Sequence, residues 1–201
     1  DHRWASYQAD GSVRDVTSLE RQDPTFAALS RYWVREEVVQ ERLSARWDQD
    51  WLFAWRRIAR STDERTFIST LLPNVAAGDS LFLGLPRNVS DGWCFLALTS
   101  SFVFDYVFRQ KTGGSNASFF LVEQLPIPEP AWLSADGPTG ATWEQFLRAR
   151  SIVASSPGIS VEQGEAIRAE IDAACFIIYD IARADAAYVM DTFLIVKGRE
   201  E

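Results

Sequence analysis

Arg109, Lys111, Thr112, Gly113, Gly114, Ser115 and Asn116 fall within one run of eight residues, RQKTGGSN. Arginine and lysine neutralise phosphates, glycines permit close backbone approach, and Ser115 and Asn116 can hydrogen-bond to bases or backbone. A second group, Arg56, Arg57, Arg60, Thr62, Asp63 and Arg65, lies on what reads as a strand–turn–strand unit. Alternation along a strand sends Arg56 and Arg57 to opposite faces, so at most one of them meets a given ligand. Both groups have plainer readings as well. The first can be an ordinary connecting loop, and the second a set of exposed edge-strand charges that prevent aggregation.

Other chemistry is missing. His2 is the one histidine, and neither Cys94 nor Cys175 has a partner at ligand spacing, so a metal site is not expected. A Ser–His or Cys–His nucleophile would have to use His2 at a frayed chain start. No Gly-x-Gly-x-x-Gly or Walker loop occurs, and Gly113-Gly114 alone does not make one. No acidic residue stands two positions before either lysine, and there is no Pro-Pro pair. The acid-x-Lys element of metal-dependent nucleases and the Asn/Asp-Pro-Pro-aromatic element of amino-group methyltransferases are therefore both absent. Asp63 and Glu64 are adjacent carboxylates that a strand or turn points apart. By itself this chain is expected to catalyse nothing.

The elements that must position the two groups follow from periodicity. Residues 95–108 are apolar on every side, as a helix buried among neighbours would be, with Asp91 as its cap. Such a rigid post ending in a polar, glycine-bearing tip suits a loop held against a ligand. Residues 51–59, 65–72 and 80–85 read as strands and 119–122 as a short β-type run, followed by Pro126, Pro128 and Pro130 in an extended exit. Residues 32–47 carry Val39, Leu43 and Trp47 at helical spacing. Thr142 with Gln145 and Ser160 with Gln163 fit capping boxes, Ile167, Ile171, Cys175 and Ile178 form one stripe, and Asp185 can cap a last short helix. Trp4, Trp33, Trp47, Trp51, Trp55 and Trp93 read as core rather than as base-stacking surfaces. The expected fold is α+β. A twisted, mostly antiparallel sheet from residues 51–127 with a buried helix behind it forms a unit of residues 1–130, and a helical segment, 131–201, packs on it.

Bulk properties set the remaining bounds. The 201 residues suffice for one domain or two small ones, and 47% apolar with 24% charged residues is the composition of a soluble globular chain. No apolar run reaches the ~20 residues that span a bilayer, so no membrane partner is expected. Two cysteines in apolar helical stretches suggest buried thiols in a reducing, cytoplasmic setting. The net charge of −8 argues against a simple nucleic-acid binder, but it is unevenly spread. Residues 123–201 hold 13 acidic and 6 basic groups, whereas residues 51–75 carry +2 and residues 99–122 carry +1. The two positive segments are the two candidate groups. Of 20 basic residues only Lys111 and Lys197 are lysines; arginine suits bidentate contact with phosphate or guanine.

Five stretches carry a family resemblance: DHRWASY at 1–7, RYWV at 31–34, RRIARSTDERTFISTLLP at 56–73, FVFDYVFRQKTGGSNASFFLVEQLPIPEP at 102–130 and YVMDTFLIV at 188–196. Together, in this order, they resemble the C-terminal target-recognition region of large bacterial restriction–modification adenine methyltransferases of the type II (type IIG-like) and phage-defence kinds. The chain is similar, more faintly, to the recognition domains of type I specificity subunits. The resemblance implies a fragment whose catalytic and S-adenosylmethionine-binding motifs lie upstream, so that these residues hold no cofactor of their own. The abrupt beginning, without an initiator Met, gives the same expectation. The implied parent is an S-adenosylmethionine-dependent N6-adenine DNA methyltransferase, with or without an endonuclease. The implied partners are double-stranded DNA and the upstream methyltransferase domain. Residue by residue the likeness covers Arg60, Thr62, Asp63, Glu64, Arg65, Arg109, Gln110, Lys111, Gly113 and Gly114. On this reading Arg57, Arg60, Arg109 and Lys111 contact phosphates and Ser115, Asn116 and Arg65 contact base edges. Thr62, Gly113 and Gly114 complete the DNA-binding set. The alternative is a non-catalytic docking module that binds a methyltransferase complex through a Trp-rich face and reads no bases.

Overall fold

The computed structural model describes residues 5–23, 25–60, 63–86, 91–114, 116–156 and 158–193, apart from the side chains of residues 21 and 22. Thr62 and Ser115 lie outside the described residues. The chain opens with a small antiparallel pair, β1 (Ala5–Tyr7) and β2 (Val13–Asp15), then α1 (Ser18–Gln22) and α2 (Glu36–Leu43). A three-stranded sheet follows, made of β3 (Trp51–Arg56), β4 (Ser69–Pro73) and β5 (Leu81–Gly84) in the order β4-β3-β5. All its pairs are antiparallel, with Phe53 opposite Leu71 on one side and Gly84 on the other. The rest is helical: α3 (Gly92–Thr99), α4 (Phe102–Lys111), α5 (Phe119–Val122), α6 (Pro130–Leu133), α7 (Trp143–Ala154), α8 (Val161–Ile178) and α9 (Arg183–Asp191). The fold is α+β.

β3 reads WLFAWR without polar alternation, and residues 52–55 are all buried, as befits a central strand covered on both faces. Phe53 packs edge-on against Phe95 at 4.7 Å, bringing α3 onto the sheet. That approach is close enough to require a glycine. A Cβ on Gly92 would stand 2.8 Å from the Trp51 ring.

The apolar stretch 95–108 is not one helix. Thr99, Ser100 and Ser101 turn their hydroxyls back onto the carbonyls of Phe95, Leu96 and Leu98, and α3 ends there. Ser101 then caps α4 by accepting the Phe104 N–H. The all-round apolarity of α4 has a geometric cause. Phe102, Val103 and Phe104 project about 100° apart around the axis and enter three different clusters. Phe104 and Phe108 join Phe53, Trp55 and Phe67 beneath the sheet; Val103 joins Leu98, Leu147, Ile171 and Cys175 among α3, α7 and α8; Phe102 meets Val189 and Phe193 near α9. The second of these clusters draws on residues from both sides of position 130.

Several boundaries differ from expectation for definite reasons. The strands end at Gly84, so the sheet does not extend to residue 127. Residues 119–122 are helical because their amides bond locally, Leu121 and Val122 to the Ser118 carbonyl, and short apolar runs have no decisive period. Residues 65–68 form no strand because the Asp105 carboxylate takes the Thr66 and Phe67 N–H groups at 2.9 and 2.8 Å. The expected strand–turn–strand is thus a β3–β4 pair in which β4 begins only at Ser69. The amphipathic helix is shorter than 32–47, and Trp33 is 75% exposed rather than core. α9 starts after Ala182, not at Asp185. Both capping boxes, Thr142 with Gln145 and Ser160 with Gln163, are formed.

Candidate nucleic-acid interface

The two groups of candidate residues, some fifty positions apart in the chain, are sewn together by backbone. Past the end of β3, the Arg57 N–H donates to the Ser80 carbonyl, and the Arg57 carbonyl accepts the Ala117 N–H at 2.8 Å. Ile58 and Asn116 form an antiparallel bridge, and the buried Trp55 indole donates to the Ala117 carbonyl at 2.7 Å. Asn116 and Ala117 therefore lie alongside Arg57 and Ile58.

Within this seam the side chains divide into two sets. Arg109 belongs to the scaffold. Its side chain is 11% exposed, Nη2 donates to the carbonyls of Asp63 and Glu64 at 3.1 and 3.3 Å, and its guanidinium lies 3.6 Å from Asp105 and 3.9 Å above the Phe193 ring. Burial holds its pKa below the usual arginine value. Arg65 is also engaged: it donates to Asp172 at 2.7 Å and lies 3.3 Å over Phe102. These two cations link residues 63–66 to α4 and α8.

The counter-ions are two buried carboxylates. Asp105 is 1% exposed, and Asp172 accepts the Phe102 N–H at 2.6 Å. Burial raises both pKa values, opposed by hydrogen bonds from Phe67 and Thr66 at Asp105 and by Arg65 at Asp172. Sequence reasoning passed over both. A signal existed for Asp105, a lone carboxylate inside FVFDYVF, because a buried charge demands partners. Asp172 carried none as clear.

The accessible set is Arg57, Arg60, Lys111, Gly113, Gly114 and Asn116. Arg60, Lys111, both glycines and Asn116 are exposed. Lys111 Nζ lies 3.5 Å from the Gln124 side-chain oxygen. A Cβ on Gly113 or Gly114 would meet nothing within 4 Å, and neither has a left-handed φ. Neither glycine is thus demanded by the fold of the described residues. Arg57 is paired with Asp79, an 85% exposed carboxylate. An ion pair so open to water contributes little, so another anion can replace Asp79. Arg56 takes a different carboxylate, Asp63, in keeping with the opposite faces of the strand.

Aromatic side chains border the seam. Phe119 packs against Trp55 at 5.0 Å and Phe82 at 4.7 Å, and the Arg57 guanidinium lies 5.9 Å from the Phe82 ring. Phe120, next along α5, is 74% exposed. Sequence analysis did not single it out, because residues 119–122 read there as a strand.

Other chemistry finds little footing. Burial pushes the Cys94 thiol up to about 12 and raises Cys175 as well, so neither is poised as a thiolate. Among the described residues no group of three His, Cys, Asp or Glu side chains could hold a metal ion. None of their helices is long and apolar enough to cross a membrane. A cleft of about 430 Å³ opens beside Arg65, lined also by Phe102, Arg168, Asp172, Phe176 and Met190. Arg65 and Asp172 there already neutralise each other. No protein-family model, curated protein or solved structure matches the chain.

Proposed function

We propose that this chain is the DNA-reading, target-recognition part of a restriction–modification N6-adenine methyltransferase, and is itself non-catalytic. One observation carries the reading. Asn116 is bridged to Ile58 and Ala117 to Arg57, beside the segment that carries Arg57 and Arg60, and α4 carries Lys111 to a glycine pair that the described fold does not need. Arg57, Arg60 and Lys111 contact phosphates, and Asn116 reaches a base edge. Arg65 and Arg109 act indirectly, by holding residues 63–66 and α4 in place. The methylated adenine is flipped into the pocket of an upstream domain, which supplies S-adenosylmethionine.

The test is duplex binding as a function of salt. Each phosphate neutralised adds about −0.9 to the slope of log K against log salt, so three accessible cations give at most about −2.7. Ala at Arg57, Arg60 or Lys111 removes roughly one such increment each, across all sequences.

A second reading, docking onto a methyltransferase complex without base contact, is favoured by one feature. Tyr32 and Trp33 are 78% and 75% exposed, and Val34 beside them is exposed too. On that reading binding is to protein, and added salt changes it little.

A further inference from the structure

We infer that Phe120 is an apolar wedge that inserts at a base step of duplex DNA. This inference rests on the DNA-reading proposal above and extends it to a residue that no charge or motif marks.

Phe120 has no role in the fold that its position reveals. It is 74% exposed, whereas Leu121 and Val122 pack against the aromatic cluster under the sheet and Phe119, itself 45% exposed, lays its ring against Trp55 and Phe82. Phenylalanine is also a middling helix former, so the single turn of α5 gains nothing from it. Its neighbours anchor its backbone. Phe119 is clasped by Trp55 and Phe82, and the Phe120 carbonyl accepts the Gln124 side-chain amide at 2.7 Å. The same Gln124 side chain faces Lys111 at 3.5 Å. On the other side, Phe82 lies under the Arg57 guanidinium. Phe120 thus stands in a strip that runs from Arg57 through Phe82 and α5 to Lys111.

That flanking by cations selects the occupant. The buried core of a protein–protein contact is depleted of charge, whereas an apolar side chain between phosphate-neutralising cations is the arrangement that unstacks a base step. Partial unstacking next to the target base would also lower the energy needed to flip it.

The experiment compares the wild-type chain with Phe120→Ala and Phe120→Trp on a mixed-sequence duplex carrying 2-aminopurine in place of adenine. That base brightens when its stacking is lost. Wild type is expected to raise the fluorescence on binding. Phe120→Ala should weaken binding by roughly fivefold to 150-fold and abolish the rise, while the salt slope stays as in wild type. Phe120→Trp should restore both. Circular dichroism should be the same for all three, since the side chain is exposed. If Phe120→Ala binds and brightens the duplex as wild type does, with the salt slope intact, the wedge is rejected and the DNA reading stands. If no variant binds DNA in a salt-dependent way, the DNA reading falls and the wedge with it. Phe120-dependent self-association without such binding overturns the inference in favour of a protein contact.

Discussion

Arginines of identical chemistry do different jobs here, and their surroundings decide which. Arg109 is buried between Asp105, two backbone carbonyls and the Phe193 ring. Removing it takes one cation from Asp105 and leaves the Asp63 and Glu64 carbonyls without its donor, a loss on the order of 1–3 kcal/mol. Arg109→Ala is therefore expected to lower the melting temperature, whereas Lys111→Ala, at an exposed site, should change the unfolding free energy by no more than about 0.5 kcal/mol. Thermal unfolding of the two variants separates scaffold from contact. Arg57 lies between these cases, because Asp79 occupies it. Asp79→Ala should free the guanidinium and tighten duplex binding, the salt slope staying within about −2.7. Glu20 offers a check away from the interface. The Arg14 guanidinium, the Thr17 N–H and the Thr17 hydroxyl hold its carboxyl at about 2, below the ordinary 4.5. With the folded value depressed, its contribution to stability is complete above pH 4.5 and is lost as pH falls through 2. An NMR titration of the Glu20 carboxyl should show that low midpoint; an ordinary midpoint would contradict the Arg14 contact.

At the scale of elements, what could be read from sequence was what local chemistry decides. Asp91, Thr142 and Ser160 all cap helices, because an N-cap and its partner lie within three residues of each other. β3 was legible because an uninterrupted WLFAW has no alternative as a surface strand. The misread elements are those settled by distant partners. Residues 65–68 have strand composition, but Asp105, some forty positions on, takes two of their amides. The break between α3 and α4 lay in Thr99, Ser100 and Ser101, whose hydroxyl bonds outweigh the apolar run on either side. The site followed the same rule. Its composition and tip were visible, while the burial of Arg65 and Arg109 and the bridge between Ile58 and Asn116 depend on tertiary contacts. Gly92 and Gly113 make a paired test of this account. Gly92→Ala gains about 1 kcal/mol of helix propensity, but its Cβ meets the Trp51 ring, and overpacking of that kind costs typically 1–3 kcal/mol. A net loss of stability is expected. Gly113→Ala meets nothing and should fold as stably as wild type, so any effect on DNA binding reports ligand approach.

Taken whole, the molecule hangs on α4, which feeds three apolar clusters through consecutive residues and ends at the exposed tip. Of the net charge of −8, residues 123–201 carry 13 acidic against 6 basic groups. An acidic body with a local cationic face orients a polyanion toward one side and repels it elsewhere. The reading also accounts for the missing reactive groups, since a part that selects a sequence leaves the chemistry to a neighbour. All of this requires that the face around Arg57, Arg60 and Lys111 grip a phosphate backbone. The most direct measurement is the affinity of this chain for duplex DNA across a range of salt concentrations, with the triple variant Arg57→Ala/Arg60→Ala/Lys111→Ala alongside. The account predicts a straight log–log plot with a slope approaching about −2.7 for wild type and one near zero for the variant. A wild-type slope of zero, or a variant slope equal to that of wild type, would contradict it.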